Sequence, residues 1–145
     1  MTDLEAFAKL VPLDHGLVVV STTRANGTIQ SSVVNAGVLD HPISGKPVVA
    51  FVAAGSSKRL VNLRARPRAT VVIRAGRQWA AVEGPVELAG PDDPLDGIDG
   101  ERLRLLLREI FTAAGGTHDD FDEYDRVMAE ERRVAVLVEP ERVYG

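Results

Sequence analysis

Runs rich in Val, Leu, Ile and Thr follow one another through turns too short to hold a helix, and this most restricts what the chain can become. Residues 16–24 and 28–39 meet across Ala25-Asn26-Gly27, a hairpin signal. Residues 69–74 and 78–88 meet in the same way across Ala75-Gly76-Arg77. Between the two pairs, the turn Asp40-His41-Pro42-Ile43-Ser44-Gly45 leads into residues 47–53, apolar enough for burial on both faces. Strands joined this tightly must run antiparallel. About six of them in a small chain have to curl into a barrel to protect their edges. Helices do not alternate with the strands, so a doubly wound parallel sheet is unsuited to this order.

The remaining segments read as short helices around that sheet. Thr2-Asp3-Leu4-Glu5 has capping-box spacing before an apolar face of Leu4, Phe7, Ala8 and Val11, which predicts a helix over 3–10 that Pro12 ends. Residues 58–66 form a second, with a serine cap before it and Pro67 after it. Leu103, Leu106, Leu107, Ile110 and Phe111 recur with helical period up to Gly115-Gly116. Phe121, Tyr124, Val127 and Met128 give a fourth helix behind an Asp-rich start. Residues 133–139 and 142–144 close the chain as a strand pair or as one bent strand, and Gly84-Pro85 predicts a bend in the strand 78–88. With 145 residues, 45% of them hydrophobic, one core and a single domain over 1–145 are expected. The fold class is mainly β with flanking helices.

Charge is distributed unevenly. No acid lies between Asp40 and Glu83, yet that window holds Lys46, Lys58, Arg59, Arg64, Arg66, Arg68, Arg74 and Arg77, in a chain of net charge -4. Residues 91–145 carry fifteen acids against seven bases. An acidic protein with a basic middle suggests one local anion site; it argues against a nucleic-acid partner or a membrane-binding face. There is no cysteine, which excludes disulfides, thiolate metal sites and a Cys nucleophile. The start Met-Thr-Asp-Leu-Glu lacks a signal-peptide pattern, and no apolar run approaches a membrane span, so a cytoplasmic location is expected. Phosphate-loop, dinucleotide-fingerprint, nucleophile-elbow and zinc-protease patterns are absent. His15, His41 and His118 all sit in turns or loops, and no metal ligand set or catalytic side chain is expected. The acids from Asp92 to Asp125 match no calcium loop and read as solvated helix starts.

One constellation carries chemistry. Gly55-Ser56-Ser57-Lys58-Arg59 opens the short helix, where free backbone N–H groups, hydroxyls and two cations make a receptor for a phosphate or phosphodiester. A capped surface helix with solvated basic side chains suits the same residues, and the residues alone leave both open. Arg64, Arg66 and Arg68 read as solvent-facing or dimer-contact residues. Gln30, Ser32, Val34 and Ala36 share one strand face small and polar enough to line a cleft, or simply to be an ordinary wet face. Trp79, the one tryptophan, is either a barrel-edge aromatic or a flat surface for a planar ligand.

The order of these parts, with Gly-Ser-Ser-Lys-Arg-Leu-Val-Asn-Leu-Arg-Ala-Arg-Pro-Arg-Ala-Thr at 55–70, resembles the pyridoxamine 5'-phosphate oxidase-like split β-barrel superfamily. Within it the chain looks most like the actinobacterial F420-dependent oxidoreductases of the B class. Trp79-Ala80-Ala81-Val82-Glu83-Gly84 and the closing Arg133-Val134-Ala135-Val136 and Arg142-Val143-Tyr144-Gly145 extend the likeness over nearly the whole chain. The resemblance implies a six- to seven-stranded antiparallel split barrel of the FMN-binding type. It implies a homodimer with the cofactor at the interface, coenzyme F420 as that cofactor, and FMN as the alternative. The family's phosphate-holding cation falls on Lys58 or Arg59, with Gly55, Ser56 and Ser57 beside it and Asn62 in the same motif. Ser32, Val34, Phe51, Val52 and Ala53 are the matches to ring-lining positions, and Trp79 would reach the ring from the other subunit. The implied reaction is hydride transfer to an electron-poor or unsaturated small organic acceptor: an enone or lactone, a quinone, a nitroaromatic or a tetrapyrrole-like molecule. It needs no dedicated side-chain acid or base. A non-catalytic flavin-binding or F420-binding protein is the remaining alternative.

Overall fold

The computed structural model describes residues 2–145. Seven strands follow the expected turns: β1 (Leu17–Thr23), β2 (Ile29–Asp40), β3 (Pro47–Ala53), β4 (Arg68–Ala75), β5 (Gln78–Ala89), β6 (Val134–Val138) and β7 (Arg142–Tyr144). Four helices accompany them: α1 (Leu4–Leu10), α2 (Lys58–Ala65), α3 (Gly100–Ala113) and α4 (Phe121–Glu130). Neighbours run in the order β4-β1-β2-β3-β6-β5, and β4 also pairs with β5, so six antiparallel strands close on themselves. β7 pairs with β5 alone. β6 and β7 do not pair with each other. They lie in succession along β5, at Val86–Ala89 and Ala81–Glu83, which favours the bent-strand reading of the C-terminus over a strand pair.

β2 and β5 turn the corners of the barrel. β2 pairs with β1 as far as Asn35 and with β3 from Ala36 onward, and its burial pattern changes from alternating to continuous at that point. β5 pairs with β4 up to Pro85 and with β6 from Val86. Gly84 permits the second corner, because a Cβ there would sit 1.9 Å from the Glu139 carbonyl oxygen.

Alternation along β3 divides the core in two. Val49, Phe51 and Ala53 join Val18, Val20, Val71, Ile73, Val82 and Val136 inside the barrel, with Phe7 of α1 and Leu60 and Leu63 of α2 packed into it. Val48, Ala50 and Val52 face the other way, under Leu106, Leu107 and Ile110 of α3 and Tyr124 of α4. The α3–α4 pair therefore lies on the outer surface of β2, β3 and β6. It approaches closely because Gly16 and Gly37 carry no side chain: a Cβ on Gly37 would lie 2.4 Å from the Ala113 carbonyl carbon, and one on Gly16 2.8 Å from the Ala114 oxygen.

Several local details differ from the sequence expectations. Asp3, not Thr2, caps α1 by accepting from the Ala6 N–H at 2.9 Å, while the Thr2 hydroxyl donates to the Gly145 carbonyl oxygen at 2.8 Å. His41 is 8% exposed: its Nδ1 accepts from the Ile43 and Ser44 N–H groups, and Nε2 donates to Glu87 at 3.0 Å, stapling the β2–β3 turn to β5. The acids of the C-terminal half do more than start helices. Asp99 and Asp120 are caps, but Asp125 pairs with Arg104 and Arg108, and Asp92 with Arg132. Among the described residues no helix is long and apolar enough to cross a membrane.

The backbone contact at Gly37 gives a direct test. Gly37→Ala should lower the unfolding free energy by about 1–3 kcal/mol, as overpacking against an unyielding neighbour does. Gly100→Ala, where an added Cβ meets nothing within 4 Å, should be near neutral. Urea unfolding of both variants checks this; equal losses would contradict the close approach of α3.

Candidate functional site

The helix α2 is fixed to the barrel mouth by side chains that point onto β1 and β2. Asn62, 7% exposed, donates both amide hydrogens, to the Thr22 hydroxyl at 3.0 Å and to the Gln30 side-chain oxygen at 2.9 Å. One turn earlier, Arg59 Nε donates to the Ser32 hydroxyl at 3.1 Å. The inward face of β2 anticipated from Gln30, Ser32, Val34 and Ala36 is therefore the face that receives α2. Asn62 has no donor left for a ligand; it is a positioning residue that sets where Arg59 lies.

Arg59 lines a cleft of about 370 Å3 between the barrel and the α3–α4 pair. Val33, Val34 and Asn35 of β2 and Val52 of β3 form one wall. Ile110, Phe111, Ala114, Tyr124 and Met128 form the opposite wall, which is apolar apart from the Tyr124 hydroxyl, and that hydroxyl donates to the Leu107 carbonyl at 2.9 Å. Arg133 completes the lining. It arrives because β6 pairs with β3 at Ala53↔Val134, and the preceding loop folds back on the head of α2, where the Gly55 N–H donates to the Glu131 carbonyl at 3.1 Å.

The electrostatics of this cleft are unbalanced. Arg59 is half-buried and has no carboxylate partner among the described residues. Its guanidinium is held below its ordinary pKa, first by burial and then by repulsion from Arg133. It remains charged, since an arginine does not give up its proton in a protein. Close by in sequence, the Ser57 hydroxyl is buried without a hydrogen-bond partner, and this N-cap side chain makes no capping bond. A partly desolvated cation without a carboxylate, lining the cleft, fits a phosphate group; the orphaned Ser57 hydroxyl belongs to the same helix head but not to the cleft lining.

Not every anticipated residue reaches the cleft. Ser32 touches Arg59, and Val34, Val52 and Arg59 line the cleft itself. Phe51 and Ala53 are fully buried inside the barrel, because strand alternation turns them away from Val52; their side chains cannot meet a ligand. Gly55 is required by packing: a Cβ there would stand 2.7 Å from the Arg132 carbonyl oxygen. Ser56 and Lys58 are exposed. Trp79 is 47% exposed on the outer barrel face, edge-on to Tyr144, and is absent from the cleft of its own chain. The basic window is also smaller in space than in sequence. Asp93 holds Arg64 in a two-pronged pair, Glu141 does the same for Arg68, and Arg66 donates to the Thr23 carbonyl. These acids come from beyond the window, which is why Arg64 and Arg68 are neither free cations nor anion ligands.

The fold and cleft can be compared with known proteins. No protein-family model matches the sequence. Solved structures share the architecture at low identity. A conserved hypothetical protein of Mycobacterium tuberculosis superposes with a TM-score of 0.67 at 19% identity, over 99% of this chain and 82% of that one. A pyridoxamine 5'-phosphate oxidase-related, FMN-binding protein of Nostoc punctiforme gives 0.65 at 13%, over 96% and 81%. An F420 reductase gives 0.60 at 14%, over 92% and 93%. The fold is thus the pyridoxamine 5'-phosphate oxidase-like split barrel, a six-stranded closed barrel with one added strand and four short helices.

Asn62→Ala should leave the buried Thr22 hydroxyl and the Gln30 oxygen without their donor and cost about 1–3 kcal/mol. Hydrogen exchange should show the loss concentrated in α2. Unchanged protection of the α2 amides would mean that Asn62 does not anchor the helix.

Proposed function

We propose that the protein is an F420H2-dependent reductase that works as a homodimer. The observation that carries this reading is the half-buried Arg59 guanidinium, unpaired with any acid, on a cleft with strand on one side and apolar helix on the other. The similarity of the fold to that of an F420 reductase supports it. Arg59 and the Ser57 hydroxyl would hold the cofactor's phosphate, and the exposed Lys58 would meet its anionic tail. Val33, Val34 and Asn35 would support the ring, with Val52 beside them. When bound, the reduced deazaflavin supplies the hydride. The chain's part is to position the reactants, to exclude water with Ile110, Phe111 and Met128, and to leave protonation to solvent. No side-chain acid or base has to act in the cleft, and the Tyr124 phenol, pushed up to about 12 mainly by burial, stays neutral there. The acceptor would be a small, electron-poor or unsaturated organic molecule.

The homodimer rests on the outer barrel face. Val33, Val19, Val72, Ala81 and Tyr144 are register partners in one row across five strands. Val33 is 63% exposed and Val19 42%, an unusual state for large apolar residues at the centre of a sheet. The next row, Ser31, Ser21, Thr70, Glu83 and Arg142, is polar, as the rim of an interface is. Val33 also borders the cleft, so a second copy on this face would adjoin the cofactor. In that arrangement Trp79, on the same outer face, would approach the partner's ring.

Three measurements test these points. F420 fluorescence titration should give micromolar binding that Arg59→Ala weakens at least about tenfold, the scale of one lost charge-assisted hydrogen bond; Lys58→Ala should matter less. Tight FMN co-purification without F420 binding would contradict the cofactor assignment. In sedimentation the protein should be a dimer that Val19→Glu converts to a monomer. Quenching of Trp79 emission by F420 should disappear with it. A wild-type monomer, or quenching that survives in the monomer, would remove Trp79 from the partner's site.

A further inference from the structure

The cleft contains more positive charge than one phosphate requires, and its second cation stands where the apolar wall begins. Arg133 lines the cleft together with Arg59, Phe111, Tyr124 and Met128. It shares that lining with the helix-head cation and with the aromatic wall, and its charge acts on both Arg59 and the Tyr124 phenol. It is also held in place: Nε donates to Glu131 Oε1 at 2.8 Å, and Nη2 is 2.8 Å from the same carboxylate. Glu131 is 45% exposed and grips the guanidinium along its Nε–Nη2 edge through one oxygen, leaving Nη1 and the second hydrogen of Nη2 without a carboxylate. An arginine fixed along one edge and open at the other is preorganised for an end-on, two-pronged contact with a planar anion. The surface next to it is apolar.

We propose that Arg133 is a substrate-binding residue that takes the carboxylate of an apolar, unsaturated acceptor, whose hydrocarbon part packs against Phe111, Tyr124 and Met128. This assignment rests on the cofactor reading above, which gives the phosphate to Arg59. It narrows the acceptor class to molecules with a carboxylate beside the reducible bond. Glu131 is the positioning residue for Arg133.

A non-reacting pair of ligands tests it: 3-benzoylpropionate and its methyl ester, titrated by calorimetry into the full-length protein with and without oxidised F420. The wild type should bind the acid at least about tenfold more tightly than the ester, as one two-pronged arginine contact predicts. Arg133→Gln should abolish that preference while leaving ester affinity and F420 affinity within about twofold; Arg133→Lys, which keeps the charge and loses the fork, should fall between. Equal binding of acid and ester by the wild type would overturn the proposal, as would a preference that survives in Arg133→Gln. Loss of F420 affinity in Arg133→Gln with acid and ester unaffected would make Arg133 a cofactor ligand and overturn it too. Failure of the wild type to bind F420 at all would instead strike the cofactor reading, because the acid preference is read separately in the protein without cofactor.

Discussion

Two twelve-residue strands, β2 and β5, each serve two neighbours, and the molecule depends on their corners. A strand that leaves one partner at Asn35 and takes another at Ala36 must bend, and the bend exposes one stretch of its own surface between the two sheets. Val33, Val34 and Asn35 occupy that stretch, and the cleft lies against it. Closure through β4–β5 satisfies the strand edges that an open sheet of this size would leave for another chain to pair with. The barrel thus supplies a rigid wall.

The two helical units act on that wall from different sides. α2 is tied down by a buried asparagine and directs one arginine onto β2. The C-terminal end of α3 is laid against the sheet with almost no gap, since Gly16 and Gly37 let backbone meet backbone at Ala113 and Ala114, while the cleft opens beside that contact, between the sheet and the α3–α4 pair. A cation and an apolar surface therefore face each other across a space of small-molecule size. This combination suits a ligand that is anionic at one end and flat and apolar at the other.

Much of the fold was legible because its signals are local. Asn26-Gly27 and Gly76-Arg77 announce hairpins, and the period of Leu103, Leu106, Leu107 and Ile110 announces a helix that buries one face. The candidate phosphate site was legible in one contiguous segment, Gly55 to Arg59 at the head of α2, and of that segment Arg59 lines the cleft. What the chain did not disclose is non-local. Arg133 enters the cleft through the pairing of β6 with β3; its segment 133–136 belongs to the family likeness, but nothing in it marked the arginine as a cleft residue. Asp93 and Glu141 neutralise two cations of a window that looks free of acids when read along the chain. Phe51, Val52 and Ala53 show the limit in small: three consecutive residues were expected to line a ring, and strand alternation admits only the middle one to the cleft.

The central claim is that an anion sits on the unpaired Arg59 at the head of α2, with a planar ring extending from it over β2. A crystal structure of the protein grown with oxidised F420 tests this most directly. Phosphate oxygens should lie about 2.7–2.9 Å from the Arg59 guanidinium, the charge-assisted range, with the ring against Val33 to Asn35. A phosphate bound elsewhere, with Arg59 still turned only to Ser32, would contradict it.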